Sequence, residues 1–219
     1  NMQMWSKGKL YPNDYRYKYP KAGEDNSTIE IWLYDLASQQ KTKADIGTEK
    51  DIYIPRIKWT KDSNLLSIRR LNRLQNNLDL LHTDATAGVS KVILNEKSET
   101  YIDVNDDLTY LNDGKQFIHG SESNGFYHLY LYNMDGTLVR QLTTGNFEVT
   151  EFNGVDEKTK TLFYVSTEVS SLDRQFYTIS LDGKKKTKLT QAPGTHAINM
   201  SDDFQFYLDY HTKASQPLQ

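Results

Sequence analysis

Apolar and polar positions in this chain alternate over short stretches, and polar turns punctuate them at a regular pitch. "LYLYNM" (Leu129 to Met134) and "FYTISL" (Phe176 to Leu181) each read as a strand with one buried face. Aligning "HLYLYNMDGTLVRQLTTG" (His128 to Gly145) with "QFYTISLDGKKKTKLTQAPG" (Gln175 to Gly194) brings Tyr130 onto Tyr177, Asp135-Gly136 onto Asp182-Gly183 and Leu142-Thr143 onto Leu189-Thr190. Every pair is 47 positions apart. Asp-Gly supplies the positive φ of a tight hairpin, and a second short strand then runs to Leu-Thr. Ser121-Glu122 precedes one copy and Ser166-Thr167-Glu168 the other, and weaker copies lie at Ile29 to Gly47 and Leu78 to Leu94. A companion element, a polar turn followed by an apolar strand, recurs at Trp59 to Ile68, Tyr110 to His119, Val155 to Ser166 and Ser201 to Tyr210.

Together these elements make units of four short strands, about 45 to 50 residues long, which is the pitch of propeller blades. The expected fold is all-β: a partial β-propeller of about four blades, each of four antiparallel strands. The units fall at 15–53, 54–100, 101–147 and 148–195, with the start of another at 196–219, all within one domain. One segment reads differently. In "LLSIRRLNRLQNNLDLL" the residues Leu65, Ile68, Leu71, Leu74, Leu78 and Leu81 recur every three or four positions, the stripe of a helix over 65–82. The repeat requires two strands there, joined by a turn near Arg73 to Asn77, and register across several units outweighs periodicity in one.

Composition narrows the function. The 219 residues carry a net charge of −3 with interspersed signs, which leaves no electrostatic footprint for nucleic acid. Lys184-Lys185-Lys186 reads as a solvated turn. Without cysteine there is no disulfide or thiolate chemistry. No apolar run approaches the roughly 18 residues of a membrane span, and "NMQMWSKGKL" shows no apolar core of a signal peptide. The absence of an initiator methionine at position 1 suggests a piece of a longer protein.

The stretch "FIHGSESNGFYHLYLYNMDG" (Phe117 to Gly136) gathers two histidines, two serines and a glutamate, the side-chain types of a hydrolytic site. It lacks an orienting acid and an oxyanion hole, and no G-x-S-x-G elbow occurs anywhere. A packed hydroxyl and a rim imidazole are the expected roles. "DVNDD" (Asp103 to Asp107) opens like a calcium loop, but Leu108 and Gly114 stand where glycine and glutamate are required, so a solvated inter-blade loop is expected and no metal. No H-E-x-x-H motif is present. Asn26-Ser27-Thr28 and Asn199-Met200-Ser201 are glycosylation sequons by form alone.

Several motifs then occur in order: "YPKAGEDN" (Tyr19 to Asn26), "NRLQN" (Asn72 to Asn76), "SESNGFYHLY" (Ser121 to Tyr130), "LTTGNFEV" (Leu142 to Val149), "GVDEKTKTLFYVSTEVS" (Gly154 to Ser170) and "LTQAPGTH" (Leu189 to His196). The set resembles the N-terminal propeller of the dipeptidyl peptidase IV family, particularly its bacterial members, from about Tyr11 to Pro217. The signature positions are Tyr19, Pro20, Lys21, Ala22, Gly23, Asn72, Arg73, Gln75, Asn76, Ser121, Glu122, Gly125, His128 and Tyr130. Phe147 departs from the tryptophan of many relatives and keeps an aromatic wedge.

The resemblance implies a parent serine exopeptidase that removes dipeptides when proline or alanine is penultimate. An eight-bladed propeller would cap an α/β-hydrolase domain in cis, acting on peptide substrates without a cofactor, as a homodimer in the periplasm or at the cell surface. The family's amine-gripping glutamates belong to a D-W-x-x-E-E context upstream of Y-P-K-A-G that this chain lacks, and Glu24-Asp25 is not that pair. No catalytic residue is therefore expected here. Tyr101, Asp103, Asn105 and Asp106 are candidates for the substrate rim, with an ordinary solvated loop as the competing reading. About half a ring would leave two end faces without neighbours, which favours self-association. A stand-alone propeller binding proteins or glycans is the alternative.

Overall fold

The structure, a computed structural model, describes every residue except Asn1, Ser6 and Tyr19, so one signature position, Tyr19, lies outside the described residues. Described residues form strands, turns and extended chain, with no helix among them. Strands β1 (Met2–Met4) and β2 (Asn13–Tyr15) form a hairpin, and β3 (Trp32–Tyr34) pairs with β4 (Lys41–Lys43) in a two-stranded sheet. Three four-stranded antiparallel meanders follow. They are β5 (Ile52–Trp59) to β8 (Ser90–Lys97) through β6 (Leu65–Asn72) and β7 (Asn77–Asp84); β9 (Leu108–Tyr110) to β12 (Leu138–Gln141) through β10 (Gln116–Ser121) and β11 (His128–Asn133); and β13 (Val149–Asp156) to β16 (Lys186–Lys188) through β14 (Thr161–Ser166) and β15 (Gln175–Ser180). A last hairpin, β17 (Thr195–Met200) with β18 (Tyr207–Thr212), opens the next unit. We call the meanders blades two, three and four; the unit expected at 15–53 is represented by the β3–β4 sheet and extended chain.

The segment 65–82 is strand, turn, strand. Leu65 pairs with Asp84 and Leu71 with Leu78, while Gln75 takes φ 57 in the connecting turn. Its helical stripe has a simple cause: β6 and β7 lie between two neighbouring sheets and bury side chains on both faces, so no alternation survives.

Burial knits neighbouring blades. Leu33, Ala44 and Ile46 pack with Ile52, Leu66 and Ile68 between the first sheet and blade two. Leu80 meets Leu108, Tyr110 and Phe117 between blades two and three. The largest cluster joins Ile118, Leu129 and Leu131 to Leu162, Tyr164 and Tyr177, with Phe147 wedged in the connection. Each fully buried Phe or Leu side chain contributes roughly 1.5–3 kcal/mol. At the two ends, Trp32, Tyr34, Phe206 and Leu208 are exposed.

The Asp-Gly turns serve as inter-blade contacts as well as hairpin closures. Gly136 (φ 89) and Gly183 (φ 73) adopt the left-handed backbone. The preceding aspartates stay out of that region and instead accept the amides of Thr137 (2.9 Å) and Lys184 (3.0 Å). A side chain on Gly136 would strike the Ile93 carbonyl of blade two, and one on Gly88 the Lys43 carbonyl of the first sheet.

Candidate functional site

The turn of the N-R-L-Q-N motif, the inter-blade loop and the turn after Ser121 come together between blades two and three. At the β6–β7 turn, the Asn72 carboxamide oxygen accepts the amides of Asn76 and Asn77, both at 3.0 Å. Arg73 reaches Asp51 (3.2 Å) and the Glu24 carbonyl (3.3 Å), joining N-R-L-Q-N to the Y-P-K-A-G segment, whose Gly23 sits at φ 86. Gln75 then holds the inter-blade loop: its carbonyl accepts the Ile102 amide at 2.8 Å and its side chain accepts the Tyr101 hydroxyl at 3.0 Å. Pro20, Lys21 and Ala22 are exposed.

On the other side, β10 ends at Ser121, a turn with Gly125 at φ 95 follows, and β11 begins at His128. Between this turn and the loop lies a cavity of about 340 Å³, lined among others by Glu96, Tyr101, Asp103, Asn105, Glu122 and Tyr127. That is the lower end of small-ligand pocket sizes. Larger hollows of about 630 and 770 Å³ lie along the first sheet, but the smaller one brings Tyr101, Asp103 and Asn105 together with the 121–125 turn.

The cavity is acidic. Burial raises the Glu122 carboxyl, and Glu148, Asp103 and Glu96 raise it further by repulsion. Burial also pushes at Glu96, but hydrogen bonds from His119 (2.6 Å) and Ser121, with Arg69 nearby, outweigh it and hold that carboxyl below its ordinary value. Asp107 is raised by burial although it accepts the Tyr127 hydroxyl at 2.8 Å.

Of the four rim candidates, Tyr101, Asp103 and Asn105 line the cavity, while Asp106 lies outside it and pairs with Arg56. Asn105 is largely occupied internally: its amide donates to the Gly120 carbonyl (3.1 Å) and its oxygen accepts the Asp107 amide (3.0 Å). Ser121, Glu122 and Gly125 line the same cavity. His128 is fully buried elsewhere, within 3.0 Å of both the Thr143 hydroxyl and the Gly145 carbonyl, with its ring edge-on to Phe147. Tyr130 is buried near the Ser123 hydroxyl. His119 is taken by Glu96, so no histidine–serine hydrogen bond exists among the described residues. Nor do they hold a cluster of side chains suited to a metal ion. Glu96, Ser123 and Tyr127 were not legible as site residues; only the two-residue period of β8 could have directed Glu96 to the cavity face.

The described residues thus form an acidic cavity between two blades of an unclosed all-β propeller. The chain belongs to the family described as the dipeptidyl peptidase IV (DPP IV) N-terminal region, which matches residues 1–218. It is similar to the dipeptidyl peptidase 4 of Arthroderma otae, 31% identical over 186 residues, covering 82% of this chain and 24% of that protein. It is similar also to the inactive dipeptidyl peptidase 10 of Rattus norvegicus, 30% identical over 190 residues, with coverage of 80% and 24%. Among solved structures, Porphyromonas gingivalis dipeptidyl peptidase 4 superposes with a TM-score of 0.87 at 38% identity, over 99% of this chain and 31% of that one. A Bacteroides ovatus structure, 21% identical with a TM-score of 0.82 over 99% of this chain and 34% of that one, shows the shared fold. The chain thus spans about a quarter of the length of the curated relatives and about a third of the solved chains.

Proposed function

We propose that this chain is the propeller portion of a serine exopeptidase that releases N-terminal dipeptides with penultimate proline or alanine. In this reading it walls the substrate cavity and restricts access, and bond cleavage belongs to an α/β-hydrolase domain carrying Ser, Asp and His in cis. The observation that carries the reading is the acidic cavity, where the loop 98–105 and the turn 121–125 meet at Asp103 and Glu122. Crowded carboxylates there favour ligands that bring positive charge and N–H donors, as a short peptide with a free amine does. Membership of the family and the fit to P. gingivalis dipeptidyl peptidase 4 support the parent activity. A homodimer at the cell surface or in the periplasm completes the proposal.

The test is turnover of an X-Pro chromogenic substrate. The full-length parent cleaves it, the isolated chain does not, and Asp103→Asn with Glu122→Gln in the parent raises KM by roughly tenfold. Turnover by the isolated chain, or an unchanged KM, overturns the reading. The similarity to an inactive relative favours one alternative, a propeller used for binding alone. An encoding frame that ends near Gln219, without a later G-x-S-x-G, or a parent without turnover, selects it.

A further inference from the structure

One buried cation sits beneath the cavity with no carboxylate of its own. Arg69 is 3% exposed and takes part in no ion pair among the described residues. In the β5–β6 register it lies opposite Arg56, on the face that meets blade three. The neighbouring carboxylates are each bound to another group: Asp106 to Arg56, Asp107 to Tyr127 and Glu96 to His119. A buried charge is costly to keep, and Leu78 and Leu80 nearby show that apolar residues fill this face well.

What the guanidinium does hold is backbone. It donates through Nη1 to the carbonyl of Asn105, 36 residues away, at the end of the loop that lines the cavity. From that point the loop is stitched outward: Asn105 to Gly120 of β10, Asp107 to Tyr127 of the opposite wall, and Asp106 to Arg56 of β5. Tyr127 lies over Gly120 so closely that any side chain there would strike its hydroxyl. Arg69 is therefore at the root of a set of bonds that fixes the distance between the two cavity walls. A planar, permanently charged fork suits this task, because it orders less side-chain freedom per hydrogen bond than an ammonium on a flexible stem.

We infer that Arg69 is a positioning residue for this cavity: by holding the Asn105 carbonyl it sets where Tyr101 and Asp103 stand relative to Glu122. The inference rests on the peptide-wall reading above, and it predicts an effect on substrate affinity rather than on chemistry. In the full-length parent, Arg69→Met raises KM for an X-Pro substrate about tenfold while kcat stays within about twofold. Arg69→Lys, which can still reach the carbonyl, recovers part of the loss. In this chain the same variants accelerate amide hydrogen exchange across 101–107 and leave β6 and β7 protected. An unchanged KM in both variants, a fall in kcat at constant KM, or exchange that rises equally through β6 and β7 overturns the inference. Should Arg69→Met fail to fold, Arg69→Lys decides on the same two readouts. A parent without turnover refutes the peptidase reading alone, and exchange at 101–107 then still decides the role of Arg69.

Discussion

Blades three and four are built on one plan, and the residues that differ between them separate scaffold from site. At the start of the third strand, blade three places His128 and blade four places Gln175, again 47 positions apart. Both side chains perform the same task. The Thr190 hydroxyl donates to the Gln175 carboxamide oxygen (2.8 Å), while the Gln175 amide donates to the carbonyls of Ala192 (3.0 Å) and Gly194 (3.2 Å). Thr143 and Gly145 stand in the matching places around His128, and in each blade the threonine oxygen also accepts the next strand amide, from Leu129 or Phe176, at 3.0 Å. An imidazole carrying its hydrogen on Nε2 offers one acceptor and one donor in the same directions as a carboxamide. The histidine of blade three is thus a clamp on the Leu-Thr return, interchangeable in role with an amide. The turn at 121–125 differs: it faces the inter-blade loop and carries the acid.

The largest expected effect breaks the equivalence of the two Asp-Gly turns. Gly136→Ala forces a methyl into the Ile93 carbonyl and costs about 4 kcal/mol or more. Gly183→Ala meets only the Arg140 side chain at 3.8 Å, so it costs the left-handed backbone alone, about 1–2 kcal/mol. Urea unfolding of the two variants measures the gap, and equal losses would refute backbone contact as its cause.

The seams between blades supply the next contrast. Where blade two meets blade three, burial depresses the His82 imidazole to about 4, though a bond with the Met134 backbone opposes the shift. Burial also lifts the Tyr110 hydroxyl to about 12, so it stays protonated beside His82 Nε2 at 2.9 Å. The unfolded chain therefore takes up a proton that the folded chain refuses. Stability is whole above about pH 6.5 and falls as pH drops towards 4, by on the order of 3 kcal/mol in total. At the blade three–four seam, to which blade four brings Tyr164 stacked on its neighbour Tyr177 at 5.5 Å, the apolar cluster among the described residues contains no histidine, and His128 meets it only edge-on at Phe147. Hydrogen exchange at pH 5 against pH 7 should loosen β7 and β10 before β14 and β15; uniform loosening would contradict this assignment.

The smallest effect tests the shared clamp. His128→Gln should cost less than about 1 kcal/mol, whereas His128→Ala, which strands the Thr143 hydroxyl and the Gly145 carbonyl, costs about 2–3 kcal/mol. Thermal unfolding ranks them, and equal costs would show that shape rather than hydrogen bonding fixes the residue.

The scaffold was legible in sequence because its rules are local and repeated. Asp135-Gly136 and Asp182-Gly183 announce their turns, and the 47-residue offset carries through to matching hydrogen bonds. The leucine stripe of 65–82 misled in isolation, since strands covered on both faces lose the period that identifies strands. The cavity was only half legible. Asp103 and Glu122 lie in segments that drew notice, but nothing local joins them, and Asp106 pairs with Arg56 outside the cavity. Arg69 was hidden beside Arg70: on a strand the two point to opposite faces, one towards the Asn105 carbonyl and the other to Asp79 at 2.7 Å and the Ile46 carbonyl. Sequence adjacency made them a single polar pair, and three-dimensional pairing gave them separate work.

The turn between the third and fourth strands leans the same way in each of the three blades. Gly88 abuts Lys43, Gly136 abuts Ile93, and the Asp182 carbonyl accepts Arg140, so each turn rests on a strand made earlier in the chain. Assembly therefore has a polarity that coincides with translation. As the ribosome delivers each unit, the strand on which these three turns rest already exists, and none of the three has to wait for residues still to be synthesised. Each of these docking steps is a short search between consecutive units.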